Sequence, residues 1–148
     1  MYLRIMKKLF IILLFFIACS PKIKKREPLD LYDAIEVKAS GGFTGVSTGY
    51  LIQKNAEIYL IYHKAGKPYN QKFYRQSTID SVNEIFSQLA ASKILTKPYS
   101  KPGNLTYSIS ARKDSIDNSI NWSDGQDSIQ NYIKMYHVLR NFASGKKQ

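Results

Sequence analysis

The chain has 148 residues, with 22 Lys and Arg against 11 Asp and Glu, 44% hydrophobic residues and one cysteine. That length suits one domain with a real core, and a lone cysteine excludes an internal disulfide. Seven basic residues and Glu27 crowd the N-terminal region, leaving 15 basic against 10 acidic residues in the rest, a surplus too modest to support nucleic-acid binding.

Residues 1–18 read as an export signal. Arg4, Lys7 and Lys8 form a positive start, and Leu9 to Ile17 is an apolar run too short to span a bilayer comfortably. Ile17-Ala18-Cys19 resembles the lipobox of bacterial lipoproteins, in which the cysteine thiol is acylated and becomes the new N-terminus; Phe16 stands where Leu is usual. Lipidation is the simplest use for Cys19 in an exported chain that holds no second cysteine. Residues 19–30 then form a lipidated, flexible tether rich in Pro and charge (Pro21, Lys22, Lys24, Lys25, Arg26, Pro28) without apolar periodicity. Ten such residues reach about 35 Å when extended, enough to hold a small domain clear of the headgroups. No acidic run follows Cys19, which favours a lipid-anchored position in the cell envelope facing the periplasm.

Residues 31–143 are expected to form the domain. Ala34 to Ala39 alternates apolar and polar side chains, and Val46 to Ile52 resumes an extended, β-prone run. Between them lies Ser40-Gly41-Gly42-Phe43-Thr44-Gly45, where three glycines allow positive φ or close approach of another chain. This glycine hairpin displays one aromatic side chain. Phe43 either folds back onto the core or stands out as an anchor for a partner, as interface aromatics often do. A turn near Lys54-Asn55-Ala56 precedes the strand Glu57 to His63, apolar on nearly every residue as a central strand would be, and Lys72 to Gln76 offers a further short strand.

Ser77 or Thr78 caps a helix with Ile79, Val82, Ile85, Phe86 and Leu89 on one face. The segment Lys97 to Asn104, with Pro98 and Pro102, excludes helix and central strand. Leu105, Tyr107, Ile109 and Ala111 alternate with polar residues, Asp114-Ser115 turns the chain, and Ile116, Asn118, Ile120 and Trp122 line the return strand. Asp127 or Ser128 caps a last helix with Ile129, Tyr132, Ile133, Tyr136 and Leu139 on one face, and residues 144–148 are a tail that should fray. These elements predict an α+β fold: an antiparallel sheet of about five strands packed against two helices, in the order β-β-β-α-β-β-α.

Enzyme chemistry finds little footing. His63 and His137 are the only histidines and share no ligand spacing, and the glycine stretch lacks the lysine and following helix of a phosphate loop. No catalytic, metal or cofactor-binding residues are expected, and the chain reads as a binding protein.

Ile35-Glu36-Val37 leading into Ser40 to Gly45 resembles the opening of the emfourin family. Similar features follow: a helix with Ile85, Phe86 and Leu89, the strand Leu105 to Ile109, and Trp122-Ser123-Asp124 before the closing helix. The chain departs from those proteins in its lipidated tether, in a longer segment from Ala56 to Tyr74, and in Asn104 where an acidic residue is expected. The resemblance implies inhibition of thermolysin-like (M4) zinc metallopeptidases by occlusion of the active-site cleft. It would make Ser40, Gly41, Gly42, Phe43, Thr44 and Gly45 the partner-binding surface. The competing expectation is a non-inhibitory envelope lipoprotein that uses the same fold to hold another envelope protein or a small ligand.

Overall fold

A computed structural model describes residues 30–41, 45–125 and 129–146 of the chain. The signal segment, Cys19 and most of the tether lie outside the described residues, as do Gly42, Phe43 and Thr44 of the glycine hairpin. Among the described residues no helix is long and apolar enough to cross a membrane.

Among the described residues the fold is α+β, with a seven-stranded mixed sheet and two helices. The elements in chain order are β1 (Ala34–Gly41), β2 (Val46–Gln53), β3 (Glu57–Lys64), β4 (Asn70–Gln76), α1 (Ile79–Ser92), β5 (Tyr99–Lys101), β6 (Leu105–Lys113), β7 (Ile116–Ser123) and α2 (Gln130–Ser144). Across the sheet the strands run β4-β3-β2-β1-β6-β7-β5. All neighbours are antiparallel except β5 and β7, which pair in parallel through Tyr99↔Ile120 to Lys101↔Trp122.

Two strands separate this sheet from the expected one of five: β4, whose Lys72 to Gln76 portion is the further short strand the sequence offers, and β5. β4 is an edge strand, exposed at six of its seven residues, so neither side imposes an alternating pattern on its sequence. β5 occupies the Pro-flanked segment read as a loop. It is a three-residue edge strand held by β7, a position that proline on either side permits.

Period-two alternation decides which face is buried. Ile35 and Val37 of β1 meet Ile52 and Tyr50 of β2 on one side, and Ala111 and Ile109 of β6 on the other. Ile58 of β3 and Ile120 and Trp122 of β7 extend that buried layer beneath the helices. β3 is interior, yet Leu60 and Tyr62 are 38% and 47% exposed, because the helices cover only part of that face. Its dense apolar run therefore marks an incompletely covered strand.

α1 starts where Thr78 turns extended (φ −99°, ψ 149°) and its hydroxyl accepts the Ser81 N–H at 3.2 Å. Val82, Ile85, Phe86 and Leu89 face the sheet as the spacing predicts. Ile79 does not: it is 38% exposed in the first turn, and Asn83 is buried instead. α2 begins at Gln130 with Ile129 in the N-cap position, which makes no side-chain cap, and Asp127 and Ser128 lie outside the described residues. Tyr136, Leu139 and Ala143 bury its inner face, and the helix continues through Ser144 to a left-handed Gly145 (φ 75°), one residue past the expected start of the tail.

Two joints lock the layers. Arg75 of β4 reaches the end of α2, donating from Nε to the Ala143 carbonyl at 2.9 Å and from Nη2 to the Phe142 carbonyl, with its guanidinium 5.5 Å above the Phe142 ring. It thus bonds carbonyls of the last helical turn, of which that of Phe142 also accepts the Gly145 N–H at 3.1 Å. At the same end of the strands, Asp33 accepts from Lys54 Nζ at 2.6 Å and from the Asp114 N–H at 2.7 Å, tying the β2–β3 turn to the β6–β7 turn. The Lys54 hydrogen bond first, and the Asp114 N–H second, hold the Asp33 carboxyl below its ordinary value.

A carboxyl depressed on folding stabilises the protein above its unfolded pKa, and the contribution disappears as pH falls through the folded pKa. Asp33→Asn is therefore expected to lower the urea midpoint at pH 7. Parent and variant should converge as pH drops below about 4, where carboxylates protonate in the unfolded chain. Urea titrations at pH 7, 4 and 2 check this, and a gap that persists at pH 2 would assign the effect to something other than the carboxylate charge.

Candidate functional site

The β1–β2 hairpin is built by strict register: Ala39↔Thr48, Ser40↔Ser47 and Gly41↔Val46 bring the strands together up to residues 42–45. Its described flanks are braced in two ways. Ser40 Oγ and Ser47 Oγ share a hydrogen bond of 2.7 Å on the side of the sheet away from the helices. Gly45 adopts φ +57°, and its carbonyl accepts the Ala65 N–H at 2.9 Å, fastening the hairpin to the β3–β4 turn. A Cβ on Gly45 would lie 2.9 Å from the Ala65 Cβ, so both the left-handed backbone and the close approach require glycine here. The orientation of Phe43, and with it the choice between core residue and anchor, falls outside the described residues.

Below this hairpin lies the open face of the sheet, which carries two connected features. On the β1–β3 side a recess of about 240 Å³ is lined by Lys38, Ser47, Ile61, His63 and Tyr69, with Tyr62 at its edge. Its floor is apolar: Ile61 is 4% exposed, opposite Gly49, whose missing side chain leaves it room. Tyr69, from the segment between β3 and β4, donates to Glu36 Oε2 at 3.3 Å. Burial first, then the Glu36 charge and hydrogen bond, push the Tyr69 phenol up to about 12, so it remains a neutral donor at physiological pH. Glu36 also pairs with Lys38 at 2.7 Å along the same strand face.

On the β1–β6–β7 side a polar trough of about 400 Å³ is lined by Ser108, Ser110, Arg112, Asp117, Ser119 and Asn121, together with Glu36 and Lys38. Arg112 and Asp117 pair across it at 3.1 Å, exposed and therefore weak. Short hydroxyl and amide groups on a flat sheet can hydrogen-bond a polar surface at little cost in side-chain entropy.

Apart from Ser40 of the hairpin and His63, weighed only as a metal ligand, these open-face residues carry no motif in the sequence. Their signal is the polar phase of the alternation: Glu36, Lys38 and Ser40 on β1, Ser108, Ser110 and Arg112 on β6, and Asp117, Ser119 and Asn121 on β7 fall on one face once register is known. Tyr69 and His63 carry no such pattern. His137 lies on the exposed side of α2, with its ring centroid 5.7 Å from that of Tyr136, far from any shared role with His63 in the recess. Among the described residues no group of three or more His, Cys, Asp and Glu side chains is placed to hold a metal ion.

No protein-family model matches the chain, and no curated protein matches it.

Proposed function

We propose that this protein is a lipid-anchored envelope lipoprotein whose α+β domain binds a partner protein through the hairpin from Ser40 to Gly45. The signal segment is removed before Cys19, the acylated cysteine anchors the chain, and the basic tether holds the domain above headgroups it can touch. The observation that carries the binding role is the bracing of the hairpin flanks, Ser40 to Ser47 and Gly45 to Ala65. A loop held in place before binding loses little freedom on association, so more of the contact energy appears as affinity. Phe43 supplies the apolar side chain for a partner's pocket.

The partner class follows from the emfourin-like sequence features: a thermolysin-like (M4) metallopeptidase whose cleft the hairpin occludes. A second reading rests on the open face. The recess under Tyr69 and the polar trough beside it offer a surface for another envelope protein or a small ligand without any peptidase.

The test is titration of the chain, from Pro21 onward, against a thermolysin-like metallopeptidase, with a serine protease as control. Metallopeptidase activity alone is expected to fall, and Phe43→Ala to weaken inhibition at least tenfold. No inhibition at micromolar excess of folded, uncleaved protein would remove the inhibitor reading and leave the open face as the binding surface.

A further inference from the structure

The two edges of the sheet are treated differently. β5 closes one edge with three residues, between Pro98 and Pro102, which leaves little backbone for another strand to pair with. β4 forms the other edge with seven residues, pairs with β3 alone among the described residues, and is exposed at all but Arg75. The register shift at Ile58/Tyr59 makes Tyr74 the extra residue of a bulge, which twists the Arg75–Gln76 end away and leaves Asn70 to Phe73 in straight register with Tyr62 to Tyr59. Aromatic side chains flank this straight stretch on both faces. Phe73, 53% exposed, meets Tyr59 edge-on at 5.9 Å on the open face, and Tyr74, 42% exposed, contacts Tyr50 at 5.6 Å on the helix side.

Charge narrows the choice of occupant. From Lys64 to Ile79 the chain has Lys64, Lys67, Lys72 and Arg75 and no acidic residue, and the three lysines are exposed. Glu57 of β3 stands opposite Gln76, beyond the bulge, with its carboxylate bonded to Asn55 and Tyr59. A second copy pairing antiparallel through β4 would bring Lys72 toward Lys72, and the tether, with Lys22, Lys24, Lys25 and Arg26, repeats the same sign. Lysine on an edge strand disfavours self-association while leaving the backbone open to a segment of opposite charge.

We infer that Asn70 to Phe73 is a docking edge for an extended acidic segment of another protein, which adds as an eighth strand to the sheet. Main-chain hydrogen bonds to the free side of β4 supply the pairing, Lys72 selects carboxylates, and Phe73 and Tyr74 grip alternate side chains of the incoming strand on the two faces. This surface is separate from the hairpin and does not depend on the peptidase reading.

The test uses the full chain in detergent micelles and a fluorescent acetyl-(Glu-Val)4-amide peptide followed by anisotropy. Two controls are acetyl-(Lys-Val)4-amide and the acidic peptide N-methylated at alternate backbone amides, in both phases. The acidic peptide is expected to bind at least tenfold more tightly than the lysine peptide and than one of the two methylated forms. Lys72→Glu should weaken it about tenfold, and Lys101→Glu on β5 should leave it unchanged. Because a charge reversal reports nothing on backbone pairing, amide hydrogen exchange is read in parallel, and Asn70 to Phe73 should slow when the peptide is bound. No binding, equal binding of both methylated forms, or unchanged exchange at Asn70 to Phe73 would overturn the inference. So would concentration-dependent self-association that protects those amides without peptide, since the edge would then belong to a second copy.

Discussion

Trp122→Ala is expected to cost about 3–5 kcal/mol, the range for deleting a large aromatic side chain from a packed core. Trp122 is 1% exposed and lies against three tyrosines: Tyr107, stacked at 6.0 Å; Tyr132, tilted at 6.0 Å; and Tyr136, edge-on at 5.8 Å. The cluster extends through Tyr99 to Tyr132 at 5.3 Å and Tyr107 to Tyr136 at 5.1 Å, so one indole joins β5, β6 and β7 to α2. Aromatic pairs add about 0.5–1.5 kcal/mol beyond the area they bury, and several share this one ring. Against a total stability of about 5–15 kcal/mol, the loss would remove a large part of the margin. Urea unfolding followed by far-UV circular dichroism should show a lower midpoint at unchanged slope. β5 should respond most sharply, because its three residues pair with β7 alone among the described strands and Tyr99 leans on Tyr132. Its amides should exchange faster than those of β1 in the variant. A loss below about 1 kcal/mol would mean that the tyrosines collapse into the space, and the cluster would then not be the joint described.

Much of this architecture is visible in the residues because it rests on local pattern. The inner faces of both helices follow the 3.6-residue period through Phe86, Leu89, Tyr136 and Leu139, and β6 follows the two-residue period through Ile109 and Ala111. What escaped depends on partners distant in sequence or on solvent. β5 is a strand because β7 accepts it, and nothing in Tyr-Ser-Lys between two prolines specifies a parallel neighbour. β4 is legible only as the short run Lys72 to Gln76: as an exposed edge with Phe73 and Tyr74 side by side it shows no alternation, and Asn70 and Gln71 carry no strand signal. Ile79 has the spacing of a core residue but stands exposed in the first turn, where Asn83 takes the buried position one turn on. The candidate site divides the same way. The hairpin is legible as glycines between strands, whereas the open-face recess requires the register that places Lys38, Ser47 and His63 side by side and the Tyr69 contact that crosses to Glu36.

Gly49→Ala is expected to destabilise the protein by about 3 kcal/mol, at the upper end of what overpacking costs. Gly49 sits mid-strand in β2 between Lys38 and Ile61, and its need for glycine is one of space. A Cβ there would stand 2.1 Å from the Val37 carbonyl oxygen and 2.7 Å from the Lys38 Cα and Cβ. The first two of those atoms are backbone, so no side-chain rotation relieves the clash and β1 must move. β1 also pairs along its whole length with β6, so the displacement spreads into the centre of the sheet. Two residues from Gly49, Ser47 holds Ser40 at 2.7 Å, and a shift between β1 and β2 loosens the brace that fixes the hairpin. Gly66→Ala is the matched control: at φ +75°, with no atom within 4 Å of the added Cβ, it should cost about 1 kcal/mol from backbone conformation alone. Denaturant midpoints of the two variants separate steric from conformational cost, and amide exchange should rise along β1 and β2 in Gly49→Ala only. A smaller loss for Gly49→Ala than for Gly66→Ala would show that the strands relax around the methyl. The rigidity claimed for the hairpin flanks, and the preorganised binding derived from it, would then fail together.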